Sequence, residues 1–118
     1  MSTIINSFKY AFQGIKDALK SEPNLRFHFL VAIGMLTVAL FLNFNMIEFT
    51  ILLITICLII SLELINTVFE KVVDLHSTKI SEEARVIKDI SAGIVLIGSI
   101  ISVIVGIFLF LPKILFLI

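Results

Sequence analysis

The residues best suited to chemistry lie on one stretch: Glu63-x2-Asn66-x3-Glu70-x3-Asp74. At roughly 100° per residue, Glu70 and Asp74 project within about 20° of Glu63, and Asn66 within about 60°, so the four share one stripe of a helix. A carboxylate inside a membrane segment costs roughly 2.5–3.5 kcal/mol at mid-depth and ordinarily faces the bundle interior for a functional reason. Glu63 is therefore expected to meet a polar partner and, held away from bulk water, to suit a role as proton acceptor from an alcohol. Three aligned acids and an amide also supply the clustered oxygen ligands that Mg²⁺ takes together with phosphate. The bland alternative is a helix end whose acids pair with Lys71, Arg85 or Lys88.

Further candidates fall at the same depth. Glu22 is a fourth acid, readable either as a metal ligand or as a helix-start acid favoured by the dipole. Lys88 can neutralise polyphosphate and Asp89 can hold a metal or orient that lysine, against the reading of a snorkelling lysine with an N-terminal acid. His28 reads as an interfacial histidine, since no second histidine lies nearby to make a metal site, and Tyr10 could stack on a base or simply anchor the interface. Standard nucleotide motifs are missing. Gly93 and Gly98 have P-loop separation, but Ser99-Ile100 follows where Lys-Ser/Thr is needed.

The elements that must position these groups follow from composition. The chain has 118 residues, 59% hydrophobic and 15% charged, with a mean hydropathy of +1.17, which places it among membrane proteins and allows one domain, 1–118. A formal net charge of zero gives no reason to expect a nucleic-acid partner. The single Cys57 sits in an apolar run and reads as helix filler. No removable signal peptide is expected, because the first apolar run starts late and lacks a small-residue cleavage site.

Residues 2–20 place Ile4, Phe8, Phe12, Ile15 and Leu19 at helical steps beside Lys9, Lys16, Asp17 and Lys20, which predicts an amphipathic surface helix. Ser21 to Asn24 form a break around Pro23. Uncharged or nearly uncharged runs then predict three transmembrane helices over 27–47, 49–69 and 90–111, each long enough for a hydrocarbon core of about 30 Å. The fold class is an all-α membrane protein, a surface helix plus three transmembrane helices. Eight of the nine basic residues (Lys9, Lys16, Lys20, Arg26, Lys71, Lys79, Arg85, Lys88) precede the first span or lie between the second and third. That bias puts the N-terminus and segment 70–89 in the cytoplasm and the C-terminus outside. Gly98, Ser102 and Gly106 form a small-residue stripe suited to helix contact. Three thin helices enclose little space, so a site needing many polar ligands is expected to be shared between copies of the chain.

With these residues in hand, the sequence closely resembles the small bacterial membrane kinases that phosphorylate diacylglycerol or undecaprenol, from about Asn6 to Ile104. The resemblance rests on Phe12-Gln-Gly14, Glu22-Pro-Asn-Leu-Arg26-Phe-His28, the Glu63-Asn66-Glu70-Asp74 spacing, and Lys88-Asp89 followed by Ser91-Ala-Gly93. It implies a homotrimer in the bacterial inner membrane with composite sites between subunits, ATP as co-substrate, and a divalent metal, Mg²⁺. It further implies that Glu63 is the catalytic base next to the lipid hydroxyl and that Glu22 and Glu70 ligate the metal. Asn66, Asp74, Lys88 and Asp89 would complete a nucleotide site that also takes in Tyr10, Glu22 and Glu70, while Phe12, Gly14 and Arg26 would contact the lipid. His28 stands where diacylglycerol-specific members carry an acid, and the Arg-Phe-His form is more like members from Gram-positive bacteria. Nothing is carried over onto Leu75 to Ile87.

The expected function is therefore ATP-dependent phosphorylation of a membrane lipid alcohol at the cytoplasmic interface. Two rivals come from other classes. An ion-translocating subunit would want acids across the whole membrane, whereas all but Glu48 lie in one half or beyond it. A non-catalytic assembly subunit would use the span-three stripe but leave Glu63 unexplained.

Overall fold

The computed structural model describes residues 3–76 and 81–118. The expected surface helix starts at Ser2, and Lys79 counts among the cytoplasmic basic residues; both lie outside the described residues. Four helices follow in order: α1 (Thr3–Ser21), α2 (Pro23–Phe41), α3 (Met46–His76) and α4 (Glu82–Leu117), with no strand among the described residues. Three of them, α2, α3 and α4, are long and apolar enough to cross a membrane. The all-helical membrane architecture read from the sequence is the one observed.

Each boundary has a local cause. α1 ends because Pro23 forces Glu22 out of helical geometry, to φ −116° and ψ 103°, and Pro23 then opens α2 at its first position, where a missing N–H costs nothing. α2 stops at Phe41 rather than at Ile47. Asn43 takes a left-handed φ of 57°, which asparagine tolerates. The N–H groups of Leu42, Asn43 and Phe44 turn back onto the carbonyls of Val38, Leu40 and Ala39 at 2.9, 3.3 and 3.1 Å. Asn45 and Glu48 then cap α3 reciprocally: the Asn45 side chain accepts from the Glu48 N–H at 2.8 Å, and the Glu48 carboxylate accepts from the Asn45 N–H at 2.9 Å.

α3 has 31 residues and continues past the expected end at Phe69. At 1.5 Å per residue it is about 46 Å long, well beyond a hydrocarbon core of about 30 Å, and Glu70 and Asp74 lie on the same continuous rod as Glu63. α4 begins eight residues before Ile90 (90 − 82), where Ser81 Oγ caps it by accepting from the Ala84 N–H at 3.0 Å, with Glu82 and Glu83 in the first turn favouring that end of the dipole. Pro112 falls inside its last turns.

α3 and α4 form the most extensive antiparallel contact; α2 packs on α3 and α1 on α2. The result is a slab, 55 × 44 × 20 Å. Its apolar core gathers at the α2–α3 turn, where Ala39, Phe44, Leu52, Leu109 and Phe110 are buried together and the Phe44 and Phe110 rings lie 4.8 Å apart. Of the small-residue stripe, Gly98 makes the close approach: a Cβ there would sit 2.5 Å from Leu62 Cδ1, whereas nothing lies within 4 Å of one at Gly106. Ser102 and Gly106 instead line an apolar groove of about 540 Å³ between α2, α3 and α4, with Val31, Met35 and Ile59 on its other walls.

Candidate active site

At the end of the slab away from the α2–α3 turn, an acid is folded inside the apolar helices. Glu63 is 2% exposed. Its Oε2 lies 3.7 Å from Nε2 of His28 on α2, and the charges of Glu22 and Glu70 also act on it. Asn66 and Thr67, one turn on, are buried too. Thr67 Oγ1 donates to the Glu63 carbonyl at 3.0 Å, so its hydroxyl is engaged by its own helix. Asn66 Nδ2 donates to Glu70 Oε1 at 3.2 Å, while Asn66 Oδ1 is buried without a hydrogen-bond partner among the described residues.

The stripe thus grades from buried to exposed along α3. Glu63 and Asn66 are buried, Glu70 half-buried and Asp74 exposed. Asp74 crosses to α4, where Lys88 Nζ donates to Oδ1 at 2.7 Å. Lys88 precedes the uncharged stretch that begins at Ile90, and the hydrogen bond to Asp74 holds its ammonium above the usual lysine range, with desolvation opposing and Glu70 adding to the rise. Asp89 turns away from Lys88: Arg85 Nη1 donates to Asp89 Oδ2 at 2.7 Å, and Arg85 pairs with Glu82 on its other side. Ser91, a turn above, is buried with its hydroxyl unpartnered.

Glu22 is held at the α1–α2 junction, its N–H donating to the Ala18 carbonyl at 2.9 Å. The junction is fastened by Arg26, whose Nη1 donates to the carbonyls of Leu19 and Lys20 at 2.8 and 2.9 Å, satisfying the open end of α1. Leu25 between them is fully buried. The rest of the surface helix stands clear: Tyr10 and Phe12 are each 71% exposed, and nothing lies near Gly14.

One copy of the chain therefore brings together Glu22, His28, Glu63, Asn66 and Glu70, and beside them Asp74 and Lys88. It does not enclose Tyr10, Phe12 or Gly14. Among the described residues, no three His, Cys, Asp or Glu groups converge as a ready metal site. His28 and Ser91 are the two polar groups that the sequence reading undervalued. The requirement that Glu63 meet something polar was the signal for His28; for Ser91, which follows Lys88-Asp89 by two positions, burial is visible only in the fold.

The fold and this cluster define an integral membrane protein with a carboxylate-lined site where its helices leave the apolar layer. The chain belongs to the prokaryotic diacylglycerol kinase family, whose model matches residues 9–110. It is 39% identical over 113 residues to a diacylglycerol kinase of Synechocystis, covering 95% of this chain and 65% of that one, so it spans about two thirds of that relative's length. It is 35% identical over 113 residues to the undecaprenol kinase of Bacillus subtilis, covering 96% of this chain and 92% of the relative. A diacylglycerol kinase of Haemophilus influenzae is 34% identical over 89 residues, 75% of each chain.

Proposed function

We propose that this chain, as a single membrane domain, transfers the γ-phosphoryl group of ATP to the hydroxyl of a membrane lipid, converting diacylglycerol to phosphatidic acid or undecaprenol to undecaprenyl phosphate. The observation that carries the reading is Glu63, a 2%-exposed carboxylate on a membrane-crossing helix at the head of a stripe that reaches the surface at Asp74 and Lys88. A lipid hydroxyl approaches from the apolar side and a nucleotide from the wet side, and Glu63 stands where the two meet.

In this reading Glu63 accepts the hydroxyl proton as the lipid oxygen attacks the γ-phosphorus in line and the bond to the β-phosphate oxygen breaks, releasing ADP. Lys88 balances phosphate charge, and Asp74 holds Lys88 in place. Asn66, Asp89 and Tyr10 complete the nucleotide pocket; Phe12, Gly14 and Arg26 border the lipid path. Glu22 and Glu70 would hold Mg²⁺, which when bound neutralises the phosphate oxygens. The donor set suits a hard cation: two carboxylates, and beside Glu70 the unpartnered Asn66 Oδ1. The remaining oxygens would come from phosphate and from a neighbouring copy.

We infer composite sites in a homotrimer from the same incompleteness. Tyr10 and Phe12 lie clear of the cluster within one copy, and among the described residues no three His, Cys, Asp or Glu groups converge to hold a metal, so a neighbouring copy is needed to complete the site. We place the protein in the bacterial inner (plasma) membrane with α1 and the Glu70 end cytoplasmic, where ATP is found, and the C-terminus outside. An ion path is disfavoured because Glu48, the acid at the opposite end, is closed off by Lys113 at 3.0 Å.

The test is phosphoryl transfer from labelled ATP by the purified chain to diacylglycerol, undecaprenol and ceramide in turn. Label should enter one of the first two far faster than the third. Failure to label any lipid alcohol with magnesium present would end the kinase reading.

A further inference from the structure

Resting on the kinase reading, we propose that His28 is the proton exit of Glu63, a relay residue that acts through the buried carboxylate and returns the hydroxyl proton to water after each transfer. A base that is 2% exposed can take a proton from a lipid alcohol, but it must lose that proton before the next turnover, and bulk water does not reach it freely. The groups around it differ in their capacity to help. Thr67 Oγ1 already donates to a carbonyl, and Asn66 is an amide with no basic nitrogen. Glu22 and Glu70 are charged neighbours assigned to the metal, Arg26 is tied to the carbonyls of α1, and Lys88 of α4 is tied to Asp74.

His28 is the exception. Its Nε2 lies 3.7 Å from Glu63 Oε2, and its side chain is 20% exposed against 3% for Glu63, so one imidazole lies between the buried acid and the surface of the chain. The separation is longer than a hydrogen bond, and a small side-chain rotation or one intervening water closes it. The proton balance is complete. The proton that leaves the lipid oxygen sits first on Glu63, passes to Nε2 to form an imidazolium, and departs from Nδ1 to water; Glu63 is then a carboxylate again and the imidazole is the Nε2–H tautomer, which a ring flip or proton exchange with water resets before the next turnover. An imidazole has two ring nitrogens, so it can take a proton on one side and release it from the other, which neither the Thr67 hydroxyl nor the Asn66 amide can do.

The experiment compares wild type with His28→Gln and His28→Ala, each as the full chain in detergent-lipid micelles, using whichever of diacylglycerol or undecaprenol the wild type phosphorylates. A lost relay should lower kcat by about 10- to 100-fold while KM for lipid and for ATP stays within about twofold, and free imidazole added to His28→Ala should restore part of kcat. Should His28→Gln not give the wild-type oligomer on size exclusion, the imidazole response of His28→Ala decides alone. A kcat within twofold of wild type, or a loss that appears in KM and ignores imidazole, would overturn the relay while leaving the kinase reading intact. A wild-type chain inactive on every lipid would remove both.

Discussion

Glu48 and Glu63 are acids on the same helix, fifteen residues apart (63 − 48), and the fold treats them in opposite ways. Glu48 is saturated locally: it accepts from the Asn45 N–H at 2.9 Å and pairs with Lys113 at 3.0 Å. Lys113 also lies 5.9 Å above the Phe44 ring, tying the α2–α3 turn to the end of α4. Glu63 is more deeply buried, yet the ionisable group beside it is a histidine at 3.7 Å, and the Asn66 oxygen one turn away has no hydrogen-bond partner among the described residues. An acid supplied with partners holds a fold together. One kept in an apolar setting without full compensation costs stability and persists for what it does.

The sharpest way to break this contrast is Glu63→Gln. Removing the base should lower phosphoryl transfer by at least about 100-fold, the lower bound for loss of a general base. The same change replaces a buried charge by a neutral amide of equal size, so thermal stability in detergent should stay level or rise. Activity near wild type, or a marked loss of stability, would place Glu63 with Glu48 as a structural acid.

Next in size is Glu70→Ala. It deletes a proposed ligand and the acceptor of the Asn66 amide, so the magnesium concentration for half-maximal rate should rise about 10- to 100-fold, with lipid KM less affected. A magnesium titration superposable on wild type would remove Glu70 from the metal.

How much of this was legible in the sequence depends on what fixes each feature. The surface helix, the Pro23 break and the three spans are set by periodicity, one imino acid and apolar length, all local properties; α1 ends one residue past its expected bound, while the ends of the three long helices depart from the expected spans by up to eight residues. The end of α2 was misjudged because hydrophobicity continues through Phe44 and Ile47 while the chain has already turned at Asn43, whose positive φ answers to the turn and not to hydropathy. The acid stripe was legible because helical spacing alone aligns Glu63, Asn66, Glu70 and Asp74. Its partners were not. That Lys88 reaches Asp74, and that His28 faces Glu63, depends on how α2 and α4 are rotated against α3, whereas the Arg85–Asp89 pair is an i,i+4 contact within α4. Gly98 likewise emerges from the small-residue stripe as the closest approach only once Leu62 is seen opposite it.

That approach gives the third prediction, which concerns the scaffold common to both acids. Gly98→Ala puts a methyl group 2.5 Å from Leu62 Cδ1, the far end of a flexible side chain one residue before Glu63. Leu62 can swing that end aside, so the cost should sit at the low end of overpacking, about 1 kcal/mol, read as a slightly lowered melting temperature, with activity falling only as far as Glu63 is displaced. Gly106→Ala meets nothing within its own copy, so any loss of oligomer on size exclusion would come from the neighbouring chain.

The smallest effect belongs to Glu48→Gln, and it completes the contrast from the other side. Glutamine keeps an oxygen able to accept from the Asn45 N–H, so the cap survives in part, while the charge opposite Lys113 is lost. The pair is only partly buried, with side-chain exposures of 31% and 22%, and a partly exposed ion pair is worth little. Stability should therefore fall only slightly, through a weakened cap and a screened pair, and high salt should narrow the gap between variant and wild type. Phosphoryl transfer should remain within about twofold of wild type, because the turn lies at the far end of α3 from Glu63 and the rod between them is continuous helix. A large loss of turnover with little loss of stability would mean that the α2–α3 turn sets the depth of the acid stripe in the membrane. The two acids would then be parts of one device.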